Sequence, residues 1–468
     1  MAAIKSPTPL LSKGDPVDWF FAFKFNSKTF PGCNDDGKTP KVGSKGLFGG
    51  TVKDYKIKKD KKGNHPKEGS AQAKKIAIRH GQQYIVSSSK NPALTKGKEC
   101  LGTTMNDPVG ATFAQVYFSD DTNYAIWNDQ FYGHPGGDPE YPMGRLNKET
   151  NKWINPDIPW GHSKGMLAWD KNGDGFVLQV STPSWPASGS HAHPRKKDGN
   201  TLGCITDDDV EISQHFFCLK INAADLEMIL KALINSSVVT NPNDKQLVKN
   251  GGPANIQALV RQLGKKSFSQ ELTLATLSSG VKLISKPSDM ECPPWQLVSA
   301  KLGGLPLRVA SWWSQPGIYS TSAKTKITCW PSSDIGKPGP VEIALSGKWK
   351  DQVLGLHGTP TPGGNHAKIG VSTNNRKPFS IFGDMNQMGT LTEIRDSEHK
   401  DNKELTCKIH QNGRGGLFYV IDNRKLYTNI RELLSGETAP MRPPAKKTSP
   451  VKKKSAPKKK STTKKKSS

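Results

Sequence analysis

The sequence has no long hydrophobic run. No stretch of about 18 apolar residues occurs in the chain, although a membrane-spanning helix needs roughly that length. The opening residues, MAAIKSPTPLLSKGDPVDW, also lack the basic-then-apolar layout of a secretory signal. We therefore expect no membrane span. We expect an intracellular protein, cytoplasmic or, in a eukaryote, nuclear, unless its export signal is unconventional or missing.

Cysteine is scarce and scattered. The chain has seven cysteines, an odd number, and no two of them form a C-x-x-C pair. A metal cluster with cysteine ligands is therefore not expected. Cys204 and Cys218 flank a short acidic loop and could be bridged, but free thiols are favoured at this pair because no export signal is found.

Acidic residues are too few to balance the basic ones. The chain has 41 Asp and Glu against 67 Lys and Arg, which gives a net charge of +26. The segment from Arg442 to the end has one Arg, 11 Lys and no acidic residue, so the remaining chain still carries +14. A basic body predicts an anionic partner, either nucleic acid or a phospholipid surface.

The C-terminal segment 445–468 consists almost entirely of Lys, Pro, Ser and Thr. This composition cannot bury apolar surface, so we predict a disordered tail over 438–468. Its lysines would neutralise phosphates and release counterions, which binds nucleic acid without reading sequence and weakens steeply with salt. A tail that only increases solubility is the alternative. The predicted nucleic-acid-binding residues are Lys446, Lys447, Lys452, Lys453, Lys454, Lys458, Lys459 and Lys460.

Two His-x-Lys triplets, at 162–164 and 366–368, are the main chemical signal. Each stands in the same context: an apolar run, a turn, a second apolar run and a polar end. That polar end is Ser184, 22 residues after the histidine, in the first unit, and Asn386, 20 residues after it, in the second. Two units of the same order indicate an internal duplication.

Each triplet aims an imidazole and an ammonium at one spot, because residues i and i+2 of a strand point to the same face. If the two halves face each other, these groups converge on a site that suits a phosphodiester. One imidazole can attack phosphorus and form a phosphohistidine, and the other can protonate the leaving oxygen. The lysines can stabilise charge on the phosphoryl oxygens, so no metal or cofactor is required. The predicted catalytic residues are His162, Lys164, His366, Lys368, Asn386 and Ser184.

Three further motifs do not predict a site. Residues 170–175 match the start of a calcium-binding EF-hand loop, but Ser181 stands where that loop needs its last acidic ligand. We predict a hairpin turn there, formed by Asn-Gly and Asp-Gly pairs. The Asp run 207–209 is interpreted as a solvated acidic turn. A third His-x-Lys triplet, at 65–67, lies in a Lys- and Gly-rich stretch without apolar periodicity and is interpreted as a solvated loop.

Plentiful Gly and Pro, 45 and 34 residues, favour a mixed α/β protein over a helical bundle. We predict a flexible N-terminus over 1–14, a first half over 15–240 and a second half over 241–437. Periodicity predicts strands at 16–25, 211–221, 305–313 and 416–422, and hairpins over 111–129 and 271–287. It predicts helices at 222–234, 253–264 and near 429–435.

The chain resembles the deoxyribonuclease II family, whose fold and mechanism relate it to the phospholipase D superfamily. The resemblance spans nearly all of the chain before the lysine-rich tail. It implies two pseudo-twofold-related α/β halves with one active site at their junction. It also implies metal-independent endonucleolytic cleavage of DNA, favoured at acidic pH, that leaves 3′-phosphate and 5′-hydroxyl ends. The motifs that carry it are PVDWFFAFK (16–24), WNDQ (127–130), GHSKGML (161–167), STPSWP (181–186), NHAK (365–368) and FGDMN (382–386).

Matching these motifs gives the family's catalytic roles to His162, Lys164, His366, Lys368 and Asn386. Three features depart from the family pattern. Ser184 stands where the family typically has Asn, so we expect a weaker orienting contact there. The chain lacks the secretory signal of animal relatives, so the resemblance does not imply lysosomal placement, and the lysine-rich tail is not a family feature.

Three functions remain open at this point, with a metal-independent DNA endonuclease favoured. A phospholipase D-like phosphodiesterase acting on lipid would use the same His/Lys core. A DNA-binding relative without catalysis would depend on the tail. The motifs outside the His-x-Lys units favour DNA as the partner. The sequence does not say which histidine attacks, and it leaves the oligomeric state open, a homodimer included.

Overall fold

The computed structural model describes the backbone alone at 145–147 and 152–154. It describes backbone and side chains over 6–30, 83–98, 100–102, 104–131, 156–183, 185–186, 189–193, 212–393 and 405–441. Several sequence predictions lie outside the described residues. They are the role of Ser184, the eight lysines of the tail, the His-x-Lys triplet at 65–67, the acidic turn at 207–209 and the thiol of Cys204.

The first large sheet is built from the N-terminal part of the chain. Within the described residues it contains eight strands in the order β10-β4-β7-β8-β9-β1-β2-β3. The strands are β1 (Trp19–Lys24), β2 (Tyr84–Ser88), β3 (Thr95–Lys96), β4 (Asn123–Asn128), β7 (Lys164–Trp169), β8 (Gly175–Val180), β9 (Gln214–Ile221) and β10 (Val248–Lys249). A separate hairpin is formed by β5 (Arg145–Asn147) and β6 (Lys152–Ile154).

The second large sheet is built from the C-terminal part. Over the described ranges it has seven strands in the order β11-β12-β19-β18-β17-β13-β14. The strands are β11 (Thr273–Thr276), β12 (Lys282–Lys286), β13 (Leu307–Ala310), β14 (Val341–Ile343), β17 (Ile369–Ser372), β18 (Phe379–Gly383) and β19 (Gly416–Asp422). A second small hairpin is formed by β15 (Ser346–Trp349) and β16 (Gln352–Gly355).

The two large sheets share a strand arrangement. The row β4-β7-β8-β9-β1-β2 of the first has the same form as the row β13-β17-β18-β19-β12-β11 of the second. Every neighbouring pair in both rows is antiparallel. Each His-x-Lys triplet stands at the start of the corresponding hairpin, β7-β8 or β17-β18. The predicted mixed, sheet-rich α/β architecture is therefore confirmed.

Five α-helices lie in the described part of the chain: α1 (Pro108–Tyr117), α2 (Ala223–Asn235), α3 (Ala254–Val260), α4 (Pro294–Lys301) and α5 (Arg424–Leu433). The start of α2 is a capping box, in which Asn222 and Asp225 satisfy each other's backbone N–H groups. The predicted helices at 222–234, 253–264 and 429–435 are confirmed as α2, α3 and the C-terminal part of α5.

The hairpin predicted over 111–129 is wrong in its first arm. That arm belongs to α1, which begins after Asp107, whose side chain accepts a hydrogen bond from Gly110 N, and has Pro108 at its first position. Both faces of α1 are buried, so its apolar residues do not show the one-sided period of a surface helix. The second arm is a strand, β4, as predicted.

Over the described residues, the other predicted strands and the turn at 170–175 are confirmed. The hairpin over 271–287 is the antiparallel pair β11-β12. The turn at 170–175 joins β7 to β8, and Asp170 Oδ1 accepts hydrogen bonds from the backbone N–H groups of Asn172 and Asp174. Gly173 has φ +93°, a left-handed conformation that glycine adopts without strain.

The sheets pack against each other through aromatic side chains. Phe382 of the second sheet stacks on Phe21 and Phe217 of the first, with ring centroids 4.6 and 4.5 Å apart. Aromatic pairs at these distances add to the stabilisation from burial. The site described below lies at the end of this interface, where β7 and β17 begin.

Two cysteine findings correct or extend the sequence analysis. Cys218 is a free thiol buried in β9, so it does not form the bridge to Cys204 that the spacing allowed. Burial raises the pKa of this thiol well above its usual value, which keeps it protonated. Cys329 and Cys407 form a disulfide, and Cys100 is disulfide-bonded as well.

None of the described helices has the length and apolar character needed to cross a membrane.

Candidate functional site

A cavity of about 440 Å³ opens where the two sheets meet. Three of the six residues predicted from the sequence line it: His162, His366 and Asn386. Lys164 and Lys368 are buried beside it rather than exposed on its wall. The structure thus brings together the two His-x-Lys units, which lie about two hundred residues apart in the chain.

His162 lies two residues before Lys164, the first residue of β7. Hydrogen bonds hold both its backbone and its ring. Its backbone N–H donates to Gly415 O at 2.8 Å. Its Nδ1 lies 2.8 Å from Asp384 O, and because a carbonyl only accepts, Nδ1 must carry the proton. In the neutral ring Nε2 then keeps its lone pair, and Asn386 Nδ2 lies 3.4 Å from this atom.

The surroundings keep the His162 ring neutral. Burial, followed by the positive charge of Lys164, holds the pKa of His162 well below its usual range. Asp129 partly offsets this effect. A neutral ring with a fixed Nδ1–H is the form in which Nε2 can act as a nucleophile or base.

His366 holds the matching position before β17. Its backbone N–H donates to Ser213 O at 2.8 Å, the same contact that His162 makes with Gly415. Its ring meets Trp312 edge to face, with centroids 5.1 Å apart and planes at 84°. Among the described residues its Nδ1 has no hydrogen-bond partner of good geometry, although the backbone of Ser181 acts to raise its pKa. Burial and Lys368 nevertheless hold the pKa of His366 well below its usual range.

An ion cluster forms the His162 side of the cavity. Asp129, which follows β4, accepts from Lys164 Nζ at 2.5 Å and from Arg414 Nη2 at 2.8 Å. Burial alone would raise the pKa of Asp129, but Lys164, His162 and Arg414 together hold it below its usual range, so it is ionised. The Lys164 ammonium therefore faces a carboxylate in this state.

Arg414 also fixes the chain that leads into β7. Its Nε donates to Trp160 O at 2.8 Å and its Nη2 to Gly161 O at 2.9 Å. These contacts tie the segment before β19 to the segment that carries His162. Arg414 lines the cavity, so it can also present positive charge to an anion there.

Lys368 is held on the other side. Its Nζ donates to His366 O at 2.6 Å, and its backbone N–H donates to Nδ1 of His215 in β9 at 3.1 Å. His215 is fully buried, and burial followed by Lys368 holds its pKa well below the usual range. His215 therefore supports Lys368 as a neutral acceptor and does not line the cavity.

Asp384 is a second buried carboxyl, and it links the sheets. Its Oδ1 accepts from Gln179 Nε2 of β8 at 3.1 Å, and its Oδ2 accepts from Leu417 N of β19 at 2.9 Å. Its backbone carbonyl is the acceptor of His162 Nδ1. Burial raises the pKa of Asp384 to about 7.

Two buried lysines make matching hydrogen bonds to the backbone segments that contact the two histidines. Lys24 ends β1 and donates to Ile212 O at 2.5 Å, while Lys286 ends β12 and donates to Asn412 O at 2.8 Å and Arg414 O at 2.7 Å. In each case the next carbonyl along the chain accepts the backbone N–H of a His-x-Lys histidine. Burial lowers the pKa of Lys286 to about 8.

Several of these residues were not predicted from the sequence. Asp129 lies in the WNDQ motif and Asp384 in FGDMN, so both were close to a recognised signal without a role. Trp312 lies in a predicted strand region. Arg414 and His215 had no local signal. Within the described part of the chain, no group of three or more His, Cys, Asp or Glu could hold a metal ion.

Comparison with known proteins connects this geometry to a family. The model of the family described as deoxyribonuclease II matches residues 65–397, more than half of the chain. The chain belongs to the deoxyribonuclease II family. It is a deoxyribonuclease-like hydrolase, as the sequence resemblance predicted.

Two relatives agree with this membership of the deoxyribonuclease II family. Cell-death-related nuclease 7 of Caenorhabditis elegans is 22% identical over 323 residues, which cover 66% of this chain and 71% of that protein. Deoxyribonuclease-2-beta of Mus musculus is 28% identical over 132 residues, covering 27% of this chain and 31% of that protein. Both relatives are distant from this chain in sequence.

Proposed function

We propose that this deoxyribonuclease II family member is a metal-independent DNA endonuclease whose active site is the cavity between the two His-x-Lys units. The observation that carries the proposal is that His162, His366 and Asn386 line one cavity backed by Lys164 and Lys368. Two imidazoles and several cations around one space suit an anionic phosphodiester. DNA is the proposed partner because of the family and the net charge of +26.

The active site would lie at the junction of two duplicated halves. The matched strand rows of the two sheets support this, as do the matched contacts of His162 N with Gly415 O and of His366 N with Ser213 O. Strand β10 pairs with β4, so we place the boundary after Lys249 rather than at residue 240. The first half then holds 162–164, and the second holds 366–368.

We assign the nucleophile to His162. Its Nδ1 proton is held by Asp384 O, which leaves the Nε2 lone pair available for attack on phosphorus. Attack would form a bond between Nε2 and phosphorus and break the bond between phosphorus and the 5′ oxygen. The product of this step is a phosphohistidine whose phosphorus stays bonded to the 3′ oxygen of the upstream DNA fragment.

We assign the general acid to His366. Protonated, it would give its proton to the leaving 5′ oxygen as that bond breaks. The neutral ring would then take a proton from water, which attacks the phosphohistidine, releases a 3′-phosphate and restores His162. Asn386 lies close enough to His162 Nε2 to orient the ring or to donate to the phosphate.

Charge on the phosphoryl oxygens would be stabilised by the cations around the cavity. Arg414 lines it, and Lys164 and Lys368 lie behind its wall. Because Asp129 binds both Lys164 and Arg414, a phosphate would compete with this carboxylate for their donors. The remaining positive potential would still favour the anion and the charge that develops on it.

Buried histidines favour an acidic optimum. Burial is the largest cause that lowers the pKa of both His162 and His366, so protonating one of them requires acidic solution. One ring must be neutral and the other protonated, which gives a bell-shaped dependence of rate on pH that belongs to the coupled pair. A flat profile through the acidic and neutral range would contradict the two-histidine mechanism.

The first test is nicking of plasmid DNA at about pH 5 in excess EDTA. Wild type should nick the plasmid and His366→Ala should not, while His193→Ala, which alters an exposed histidine, should match wild type. End-labelling should then find 3′-phosphates. Nicking that stops in EDTA would overturn metal independence, and hydrolysis of phospholipid in place of DNA would favour the lipid phosphodiesterase.

A further inference from the structure

The cavity has two unlike walls. One is the ion cluster of Asp129 and Arg414 beside His162. The other is apolar and comes from loops of the second sheet: Trp312, which follows β13, with Pro360 and Met388. The chemistry assigned above uses the polar wall and the two histidines and leaves the apolar wall without a role.

Trp312 is presented to the cavity rather than used in the core. It is half-buried, and its ring meets the His366 ring at 5.1 Å. Its neighbour Trp313 is equally half-buried but has a structural use, since its Nε1 donates to Ile318 O at 2.8 Å and its ring contacts Tyr319. The two adjacent tryptophans therefore differ in their environment and not in their type.

The backbone at Trp312 is held in place by a close crossing. A Cβ atom on Gly358 would lie 2.2 Å from Trp313 N and 2.9 Å from Trp312 Cα, so only glycine permits this approach. The crossing chain continues to Pro360, and Met388 makes an isolated bridge with Gly317 beside Trp313. These contacts fix the apolar wall before any ligand binds, which lowers the entropic cost of binding.

We infer that Trp312, with Pro360 and Met388, binds a nucleobase of the DNA strand next to the scissile phosphate. This inference rests on the proposed endonuclease function. An apolar wall beside the histidine that protonates the leaving oxygen gives no hydrogen bond or charge to a phosphate, whereas a base offers a π-face that stacks on an aromatic ring. Because Trp312 contacts His366, the base belongs to the nucleotide whose 5′ oxygen leaves.

Such binding requires that the base leaves the helical stack. A base inside a duplex cannot reach a wall within a cavity of this size, so it must be turned out or come from a single strand. Any base can stack, so the wall gives little sequence preference.

The test uses short single strands in which only the central linkage is a phosphodiester and the others are methylphosphonates. One strand keeps all its bases. A second is abasic on the nucleotide whose 5′ oxygen leaves, and a third is abasic on the nucleotide whose 3′ oxygen stays on the phosphate. With wild type, kcat/KM should fall about tenfold or more for the second strand, as for the loss of one stacked base, and less for the third.

Variants then test whether the apolar wall causes this difference in kcat/KM between the strands. Trp312→Ala should cleave the first and second strands equally, and Trp312→Phe should keep part of the difference. Trp313→Phe is the matched control, because it keeps an aromatic ring and removes only the Nε1–H that binds Ile318 O, and it should discriminate as wild type does. Cleavage by Trp312→Ala with undiminished discrimination would overturn the inference and leave the endonuclease proposal intact. Absence of cleavage of every strand, and of plasmid DNA at about pH 5, by wild type would overturn both.

Discussion

The two His-x-Lys units place their histidines by the same backbone contact and then surround them differently. His162 N donates to Gly415 O and His366 N to Ser213 O, both at 2.8 Å. The His162 ring is bound through Nδ1 to Asp384 O, whereas the His366 ring packs against Trp312. Backbone geometry thus repeats between the two units, while the side-chain neighbours of the two histidines differ.

The two buried carboxyls differ in the same way. Asp129 lies between Lys164 and Arg414 and stays ionised. Asp384 binds an amide side chain, that of Gln179, and the backbone N–H of Leu417. Burial raises the pKa of Asp384 to about 7, so it changes charge near neutrality. One carboxyl holds the cations of the site, and the other holds the backbone that orients His162.

The largest expected effect comes from removing either histidine. His162→Ala and His366→Ala should each lower the rate of DNA cleavage about ten-thousandfold or more, since one removes the nucleophile and the other the acid. Thymidine 3′-(4-nitrophenyl phosphate) separates the two roles, because its leaving group needs no proton. His366→Ala should release a burst of nitrophenol and accumulate a phosphohistidine at residue 162, whereas His162→Ala should release none.

A different result would exchange the roles assigned to His162 and His366. A burst from His162→Ala, with phosphate recovered on His366, would exchange the two roles and keep the paired site. Near-normal DNA cleavage by either variant would remove the paired site altogether. Stopped-flow absorbance measures the burst, and peptide mass spectrometry of the quenched protein locates the phosphate.

The second effect is on stability and concerns Asp129. Asp129→Asn should lower the free energy of unfolding by about 3 to 5 kcal/mol, because it leaves buried cations without their carboxylate. Asp157→Asn is the matched control, since Asp157 lies 3.9 Å from Arg414 but its side chain is 73% exposed, and it should change stability by less than about 1 kcal/mol. Urea denaturation at neutral pH measures both. Equal losses for the two variants would contradict a buried ion cluster.

The sequence predicted what depends on local pattern. Alternating apolar residues marked β1, helical periodicity marked α2, and the repeated unit marked both histidines. The helix α1 was missed because its residues are buried on both faces, which hides the helical period. Its Asp107-Pro108 start was the available signal.

The remaining site residues depend on contacts between distant parts of the chain. Arg414 binds Asp129 across 285 positions, and Gln179 binds Asp384 across 205. No period or spacing within one segment encodes such pairs. The sequence placed Trp312 in a strand because its neighbours are apolar. Its contact with His366 arises only where separate loops of the second sheet pack together. Site residues could therefore be predicted where one segment carries both groups, as in His-x-Lys. They could not be predicted where a contact joins two distant segments.

The smallest of the three effects concerns Asp384 and the dependence of stability on pH. Its pKa is raised from 3.8 to about 7 in the folded protein, so the folded state binds the proton more tightly than the unfolded state. Its contribution to stability is complete below about pH 4 and is lost as the pH rises to about 7. Asp384→Asn removes this titration while keeping the backbone carbonyl that binds His162 Nδ1.

Denaturant unfolding at about pH 4.5 and about pH 7.5 measures this effect as a double difference. From the lower to the higher pH, wild type should lose about 3 kcal/mol of unfolding free energy that Asp384→Asn does not lose. The lowered pKa values of His162 and His366 act in the opposite direction, because their contribution falls as the pH falls, but they are present in both proteins and cancel. Asp129→Asn, which removes a carboxyl of lowered pKa, should leave the double difference nearly unchanged, because the contribution of Asp129 is lost only as the pH falls below about 4. The same shift for both aspartates would mean that the two carboxyls are held alike, and the comparison between them would fail.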